Sequence, residues 1–259
     1  KHKVLTYPRT DARALPEDYV ETVRATLALF GGTGGKGSAG RKAELDSPVA
    51  ATYAPFAAEI LKSNWVRPNK RIFDDSKISD HFAIIPTLQL PKAMSEPEQK
   101  LYDLVVRRFV AVFYAAAEYL QTTRITVVES HHFKSEGKIL QKPGWLTVYG
   151  REAQGEDARL IPVQRGERPP VVTLDIAAEQ TRPPARYTEA TLLSAMEGAG
   201  KLVEDEDLRE AMDAKGLGTP ATRAAVIEGL IAEEYVIRNG RELVPRPKAV
   251  SVLFALRHF

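Results

Sequence analysis

Cysteine is absent from the 259-residue sequence. That excludes a disulfide framework, a thiolate zinc site and a cysteine nucleophile, and it agrees with a reducing cytoplasm. No run of about 18 apolar residues occurs, so no membrane span is expected. No basic segment followed by an apolar stretch marks a leader. Charge of one sign is scarce in the balance: 36 Lys and Arg against 34 Asp and Glu leave a net charge of +2. A strongly basic surface is not visible in that total, although Lys and Arg gathered on one face still suffice for nucleic acid. Internal repeats and long low-complexity tracts are missing too. Lys1-His2-Lys3 leads directly into Val4-Leu5 without a methionine, and we read the sequence as a stretch cut from a longer protein.

What is present is ordinary for a soluble globular chain, with 44% hydrophobic and 27% charged residues. At roughly 100–200 residues per domain, two or three domains are expected. Helices are predicted over 16–30, 48–63 and 95–119. In the first, Pro16 suits the opening turn and Val20, Val23, Leu27 and Phe30 recur at helical spacing. In the third, Ser95 and Glu98 form a capping-box pattern. Gly31 to Ser38 resembles a phosphate loop at first glance, but Lys36 is followed by Gly37 and the spacing is wrong; a surface loop is the plainer reading. From about Gln121 the signal turns to strands: Thr123 to Glu129, Leu140, Trp145 to Tyr149, and Val171 to Leu174. After Pro183-Pro184 helices return, beginning near Thr188, Leu208 and Pro220. They are followed by an Asn239-Gly240 hairpin signal between apolar runs. The expected architecture is α+β and multi-domain, mainly helical with a small antiparallel β region: a helical domain over 1–120, a β-rich hinge or arch over 121–184, and a helical, winged-helix-like DNA-binding domain over 185–259.

Three segments carry chemistry. In Leu5-Thr6-Tyr7-Pro8-Arg9-Thr10-Asp11, Pro8 favours extended backbone, which puts Tyr7 and Arg9 on one side. Tyr7 could then attack a phosphate that Arg9 grips bidentately. Spacing alone fits equally a tyrosine buried before a turn, and that reading is the commoner. In Ser79-Asp80-His81-Phe82-Ala83-Ile84-Ile85-Pro86-Thr87, His81 could donate to a phosphate with Asp80 holding its tautomer; a structural histidine fits as well. In Gly216-Leu217-Gly218-Thr219-Pro220-Ala221-Thr222-Arg223, a glycine turn opens a helix whose free N–H groups suit an anion; a merely well-capped helix would look the same.

Together and in this order, the three segments resemble the signature segments of type IA DNA topoisomerases. Tyr7-Pro8-Arg9-Thr10-Asp11 is similar to the family's nucleophile segment, and Asp80 to Thr87 to its His-containing Ala-Ile-Ile-Pro-Thr segment. Gly216 to Arg223 is similar to its Gly-x-Gly-Thr-Pro-Ala-Thr-Arg segment. Tyr187 to Leu193 matches the opening of the same region, and Val244 to Lys248 matches more weakly. The wording points to the topoisomerase III branch. Two features depart from it: Phe82 stands where the family often has a second histidine, and the stretch between Tyr7 and His81 holds the glycine loop, which looks like a lineage-specific insertion.

The resemblance implies an ATP-independent isomerase that cleaves and reseals single-stranded DNA through a 5′-phosphotyrosine and passes a strand through the gap. By it, Tyr7 and Arg9 are catalytic, and His81, Thr219, Thr222 and Arg223 contact DNA. Mg²⁺ is implied for the intact enzyme, with ligands in an acidic domain ahead of the tyrosine segment and none in this stretch. This stretch alone is then expected to bind single strands weakly and not to cleave them. A helicase is a candidate partner, no membrane is expected to be one, and the expected location is cytoplasmic and nucleoid-associated. Relaxases carry a His cluster for metal, and tyrosine recombinases place the nucleophile late. Here Tyr7 comes first and only five His residues exist. The alternative is a non-catalytic single-strand-binding module derived from the same family.

Overall fold

The computed structural model describes residues 2–31, 48–89, 91, 93–150, 160–173, 175–203, 206–213 and 216–257. The glycine loop lies outside them from residue 32 onward. The fold is α+β, and it divides into two compact units, Lys1–Pro169 and Pro170–Phe259.

In the first unit, α1 (Val20–Gly31) follows a 3-10 turn at Glu17–Tyr19 that Pro16 introduces. Glu17 and Asp18 sit where the helix dipole favours negative charge. Val23, Leu27 and Phe30 bury one stripe. Thr26 is buried beside them because its hydroxyl donates back to the Thr22 carbonyl at 2.8 Å. In α2 (Pro48–Lys62), Pro55 lacks the N–H that would reach back to Ala51, an exposed position. Ala50, Tyr53, Ala57 and Ile60 face inward. In α3 (Glu96–Ala111), the Ser95 N–H donates to Glu98 Oε2 at 2.8 Å, one half of the expected capping box. Tyr102, Val106, Phe109 and Val110 complete the core, where each such side chain contributes about 1.5–3 kcal/mol. A polar bolt joins α2 to α3: the Tyr53 hydroxyl donates to Asp103 at 2.7 Å and accepts from Arg107 at 2.8 Å. Burial pushes that hydroxyl up to about 12.

Two expectations fail here for one reason. The third helix stops at Ala111 instead of running to Tyr119, and Trp145 to Tyr149 forms a 3-10 helix (Gly144–Tyr149) instead of a strand. Gly144, at φ +49°, lies so close to the Ala115-Ala116 backbone that a Cβ there would meet the Ala115 carbonyl at 2.4 Å. The Trp145 N–H donates to that same carbonyl at 2.9 Å. Tertiary contact claims the alanines, and alternation alone could not distinguish a strand from a turn with Leu146 and Val148 buried. Between these segments β1 (Glu118–Val128) and β2 (His131–Lys142) form an antiparallel hairpin turning at Glu129-Ser130.

In the second unit, α4 (Glu189–Glu197) is capped reciprocally by Thr188 and Thr191, with N–H to hydroxyl distances of 2.8 and 3.1 Å. Then come α5 (Glu206–Asp213) and α6 (Arg223–Ala232), followed by the hairpin of β3 (Val236–Asn239) and β4 (Glu242–Pro245). Asn239 pairs with Glu242, so the turn residues are Gly240 and Arg241, one place later than Asn239-Gly240 predicts. Gly240 takes φ +59°, as a primed turn with glycine first requires. Tyr187 and Thr188 run beside β4, where the Leu243 N–H donates to the Tyr187 carbonyl at 2.7 Å. Met196, Ile227 and Leu243 form the small core. The last helix, α7 (Pro247–Leu256), buries no residue. Val171 to Thr173 forms no strand. Among the described residues no helix is long and apolar enough to cross a membrane.

Candidate active site

Val4 and Ile85 are both buried in the main core. Between them the chain builds a short antiparallel pair from two distant stretches. Leu5 bridges Pro86, the Thr6 N–H donates to the Ile85 carbonyl at 3.0 Å, and the Thr87 N–H donates to the Val4 carbonyl at 2.9 Å. Past Thr6 the chain leaves this ladder. It returns at Ala14, whose carbonyl accepts from the Ala83 N–H at 2.9 Å. Leu15 is then held on its other side, donating to the Ile72 carbonyl and accepting from the Asp74 N–H. Residues 7–13 thus form a loop with both ends fixed. Within it the Thr10 hydroxyl donates to the His81 carbonyl at 3.2 Å and accepts from the Ala12 N–H at 3.0 Å.

The result is a juxtaposition across 74 positions of sequence: the Tyr7 and His81 rings lie with centroids 4.1 Å apart, inclined by 34°. Tyr7 is 47% exposed, which removes the reading as a tyrosine buried before a turn. Arg9 and His81 are exposed on the same loop system. Phe82, the residue in the second-histidine position, turns the other way and packs on Tyr19 at 4.7 Å. Asp80 is exposed, and no hydrogen bond joins it to His81 among the described residues; the Thr10 hydroxyl on its carbonyl and the Tyr7 ring beside its own hold this histidine.

The floor under Leu15 is an acidic knot. Asp74 is buried; its carboxylate accepts from the Ser76 N–H at 3.2 Å and the Ser76 hydroxyl at 2.6 Å, and pairs with Lys77 at 2.8 Å. The Lys77 ammonium, then the serine, hold it down to about 2.

The third predicted segment lies in the other unit. Gly216 and Gly218 both take left-handed backbone, φ +66° and +71°. A Cβ on Gly216 would meet the Met196 and Glu197 carbonyls at 2.5 Å, and the adjacent Leu217 N–H donates to the Met196 carbonyl at 2.7 Å. Thr219 opens the following turn: its N–H donates to the Thr222 hydroxyl at 3.0 Å, and its carbonyl accepts from the Arg223 N–H at 3.0 Å. Regular helix begins only at Arg223, not at Pro220. Thr219 and Thr222 are exposed, but Arg223 is 6% exposed. Its guanidinium donates to the Leu217 and Gly218 carbonyls, both at 3.2 Å. It braces the glycine turn from inside, a role that the sequence alone does not show.

Among the described residues no group of three or more His, Asp and Glu comes together as a metal site. Sequence reasoning assigned nothing to Thr6 and Thr10, the hydroxyls flanking Tyr7. Their only signal was two β-branched residues with hydroxyls on either side of it.

The family model described as DNA topoisomerase matches residues 1–259. The chain is 37% identical over 255 residues to DNA topoisomerase 3 of Bacillus cereus, covering 94% of this chain and 32% of that protein. It is 34% identical over 264 residues to DNA topoisomerase 3 of Bacillus subtilis, covering 98% and 34%. Its fold is similar to that of full-length topoisomerase I from Thermotoga maritima, with a TM-score of 0.60 at 20% identity over 98% of this chain and 35% of that one. The chain therefore spans about a third of the length of the curated relatives it matches.

Proposed function

The chain belongs to the DNA topoisomerase family, on its type IA, topoisomerase III-like branch, and on that premise we propose that Tyr7 is the nucleophile that cleaves a single DNA strand. The observation that carries this reading is the loop 7–13: both ends are fixed, yet Tyr7 is exposed and stacked against His81 at 4.1 Å. A nucleophile needs an accessible oxygen on a backbone that does not wander.

The Tyr7 oxygen bonds to phosphorus as the bond from phosphorus to the 3′ oxygen breaks. The phenol gives up its proton, the departing 3′ oxygen gains one, and a 5′-phosphotyrosine remains. Reversal by the 3′-OH reseals the strand, so no nucleotide is consumed. Arg9 offsets the charge that grows on the phosphate oxygens, a contribution of about 3–4 kcal/mol for stabilisers of this kind. His81 holds the tyrosine ring on its face and offers a nitrogen donor to the backbone of the strand. Thr219 and Thr222 contact a second stretch of that backbone, on a turn that Arg223 shapes. Mg²⁺ in the intact enzyme would be held by residues outside this stretch and would supply electrostatic stabilisation of phosphate. A cytoplasmic, nucleoid-associated location follows from the substrate, and a helicase that exposes single strands is a partner of fitting chemistry.

The test is Tyr7→Phe in the full-length protein. Protein-linked DNA should disappear after denaturation while single-strand affinity is unchanged, because only the phenolic oxygen enters the bond. A covalent adduct formed by the Phe variant would refute the assignment. Equal absence of adduct from the wild-type protein, with binding intact, would favour the non-catalytic binding module.

A further inference from the structure

Thr6, the residue before Tyr7, is joined to the opposite segment three times. Its N–H donates to the Ile85 carbonyl at 3.0 Å, its hydroxyl donates to the Ala83 carbonyl at 3.1 Å, and that same hydroxyl accepts from the Ile85 N–H at 2.9 Å. The Leu5–Pro86 bridge puts Thr6 and Ile85 at a hydrogen-bonded position of the ladder, where antiparallel partners ordinarily exchange both bonds between their backbones. Thr6 and Ile85 exchange only one, and the second is made by the side chain. The Thr6 carbonyl is released from the ladder at the point where the chain turns out toward Tyr7.

We infer that Thr6 is a positioning residue. Its hydroxyl replaces the main chain as acceptor for Ile85, ends the ladder there, and thereby fixes the backbone from which Tyr7 reaches over His81. This assignment rests on the reading of Tyr7 as nucleophile for its catalytic consequence, but not for its geometric one. The task needs one group that donates and accepts at once, which a hydroxyl supplies and an aliphatic side chain of the same shape does not. A hydroxyl of the same kind, that of Thr87, donates to the Lys3 carbonyl at 2.8 Å further along the same pair of segments. It ends no ladder beside Tyr7, which makes it a natural control.

The experiment compares Thr6→Val, which keeps shape and loses the hydroxyl, with Thr6→Ser and Thr87→Val. In the 259-residue chain, proton NMR reads the contact between the Tyr7 and His81 rings through their cross-relaxation and the ring-current shift of the His81 protons. Thr6→Val should lose both signals, and Thr6→Ser and Thr87→Val should keep them. Thr6→Ala gives the same readout if valine prevents folding. In the full-length protein, Thr6→Val should slow strand cleavage about 10–100-fold, as a displaced reacting group does, with single-strand affinity unchanged and Thr6→Ser near wild type. Retention of the ring signals in both hydroxyl-free variants, or equal loss in Thr87→Val, would overturn the inference. Tyr7→Phe in the same cleavage assay separates the two failures. An adduct from it sinks the nucleophile and leaves the NMR result on Thr6 standing. A silent Tyr7→Phe beside a fully active Thr6→Val sinks the role of Thr6 alone.

Discussion

The Tyr7 loop and the Gly216 turn are held in opposite ways. The Tyr7 loop is fixed mainly from outside, by the Ala83 to Thr87 and Ile72 to Asp74 backbones and by the Thr6 hydroxyl, and the Thr10 hydroxyl within it bonds outward to the His81 carbonyl. The Gly216 turn is fixed mainly from within, by two left-handed glycines and by Arg223 folded back on carbonyls five and six residues before it. A loop pinned by distant segments can expose its central side chains, since the holding groups are elsewhere. A turn braced by its own arginine spends that side chain on the bracing. The same residue type, arginine in a signature segment, is therefore exposed at position 9 and buried at position 223.

The largest effect should come from Gly216→Ala. A left-handed alanine costs about 1–3 kcal/mol, and overpacking adds about 1–3 kcal/mol more. The added Cβ meets backbone carbonyls at 2.5 Å, which cannot swing aside as a side chain would. Gly240→Ala, also at positive φ but with nothing within 4 Å, should cost only about 1 kcal/mol. Hydrogen exchange at the Leu217 amide measures the difference; equal costs would show that close approach does not fix the turn. Next comes Arg223→Lys. One ammonium cannot span both carbonyls, so the second unit should lose about 1–2 kcal/mol. If exchange at Leu217 is unchanged in this variant, the arginine is not the brace.

The same contrast explains what could be read in advance. Local signals were legible: the capping pattern at Ser95 and Glu98, the stripe of Val23, Leu27 and Phe30, the hairpin around Gly240, and the glycine turn before Arg223. Their determinants lie within a few residues of one another. Where a distant segment decides, local reading failed. Gly144 presses on Ala115 and strips three alanines from a helix they would otherwise extend. The bracing role of Arg223 was not legible either, because nothing in the order of residues says that a guanidinium bends back on its own turn. Tyr7 and His81 came together as candidates only through the family resemblance, since composition and periodicity carry no information on a pair 74 residues apart. The hydroxyls that secure them were not legible at all, because a threonine reads the same whether it packs, caps or ends a ladder.

The smallest effect is expected from acid, and it bears on the outer fixings of the Tyr7 loop. Asp74 anchors the segment that grips Leu15, and Lys77 with Ser76 hold its carboxyl down to about 2 from an ordinary value of 3.8. A carboxyl whose folded value is depressed binds protons less readily folded than unfolded, so it favours the folded state at higher pH. Its contribution is fully present above about pH 5, begins to fall as pH drops through about 4, and is gone once pH falls through about 2. Other carboxylates titrate in the same window, so the difference from Asp74→Asn isolates this one. Asparagine still offers an oxygen to the Ser76 N–H but cannot pair with Lys77. Urea unfolding of the first unit should show the wild-type chain more stable than the variant at pH 6, with the gap closing toward pH 2. Exchange at the Leu15 amide, bonded to Ile72 beside the knot, should rise in parallel, while exchange at Leu217 in the other unit stays flat. A gap that persists unchanged at pH 2 would mean the carboxylate charge does not secure this end of the loop. Parallel rises at Leu15 and Leu217 would mean that acid acts on the whole chain, and not on the outer fixings that distinguish the first region from the second.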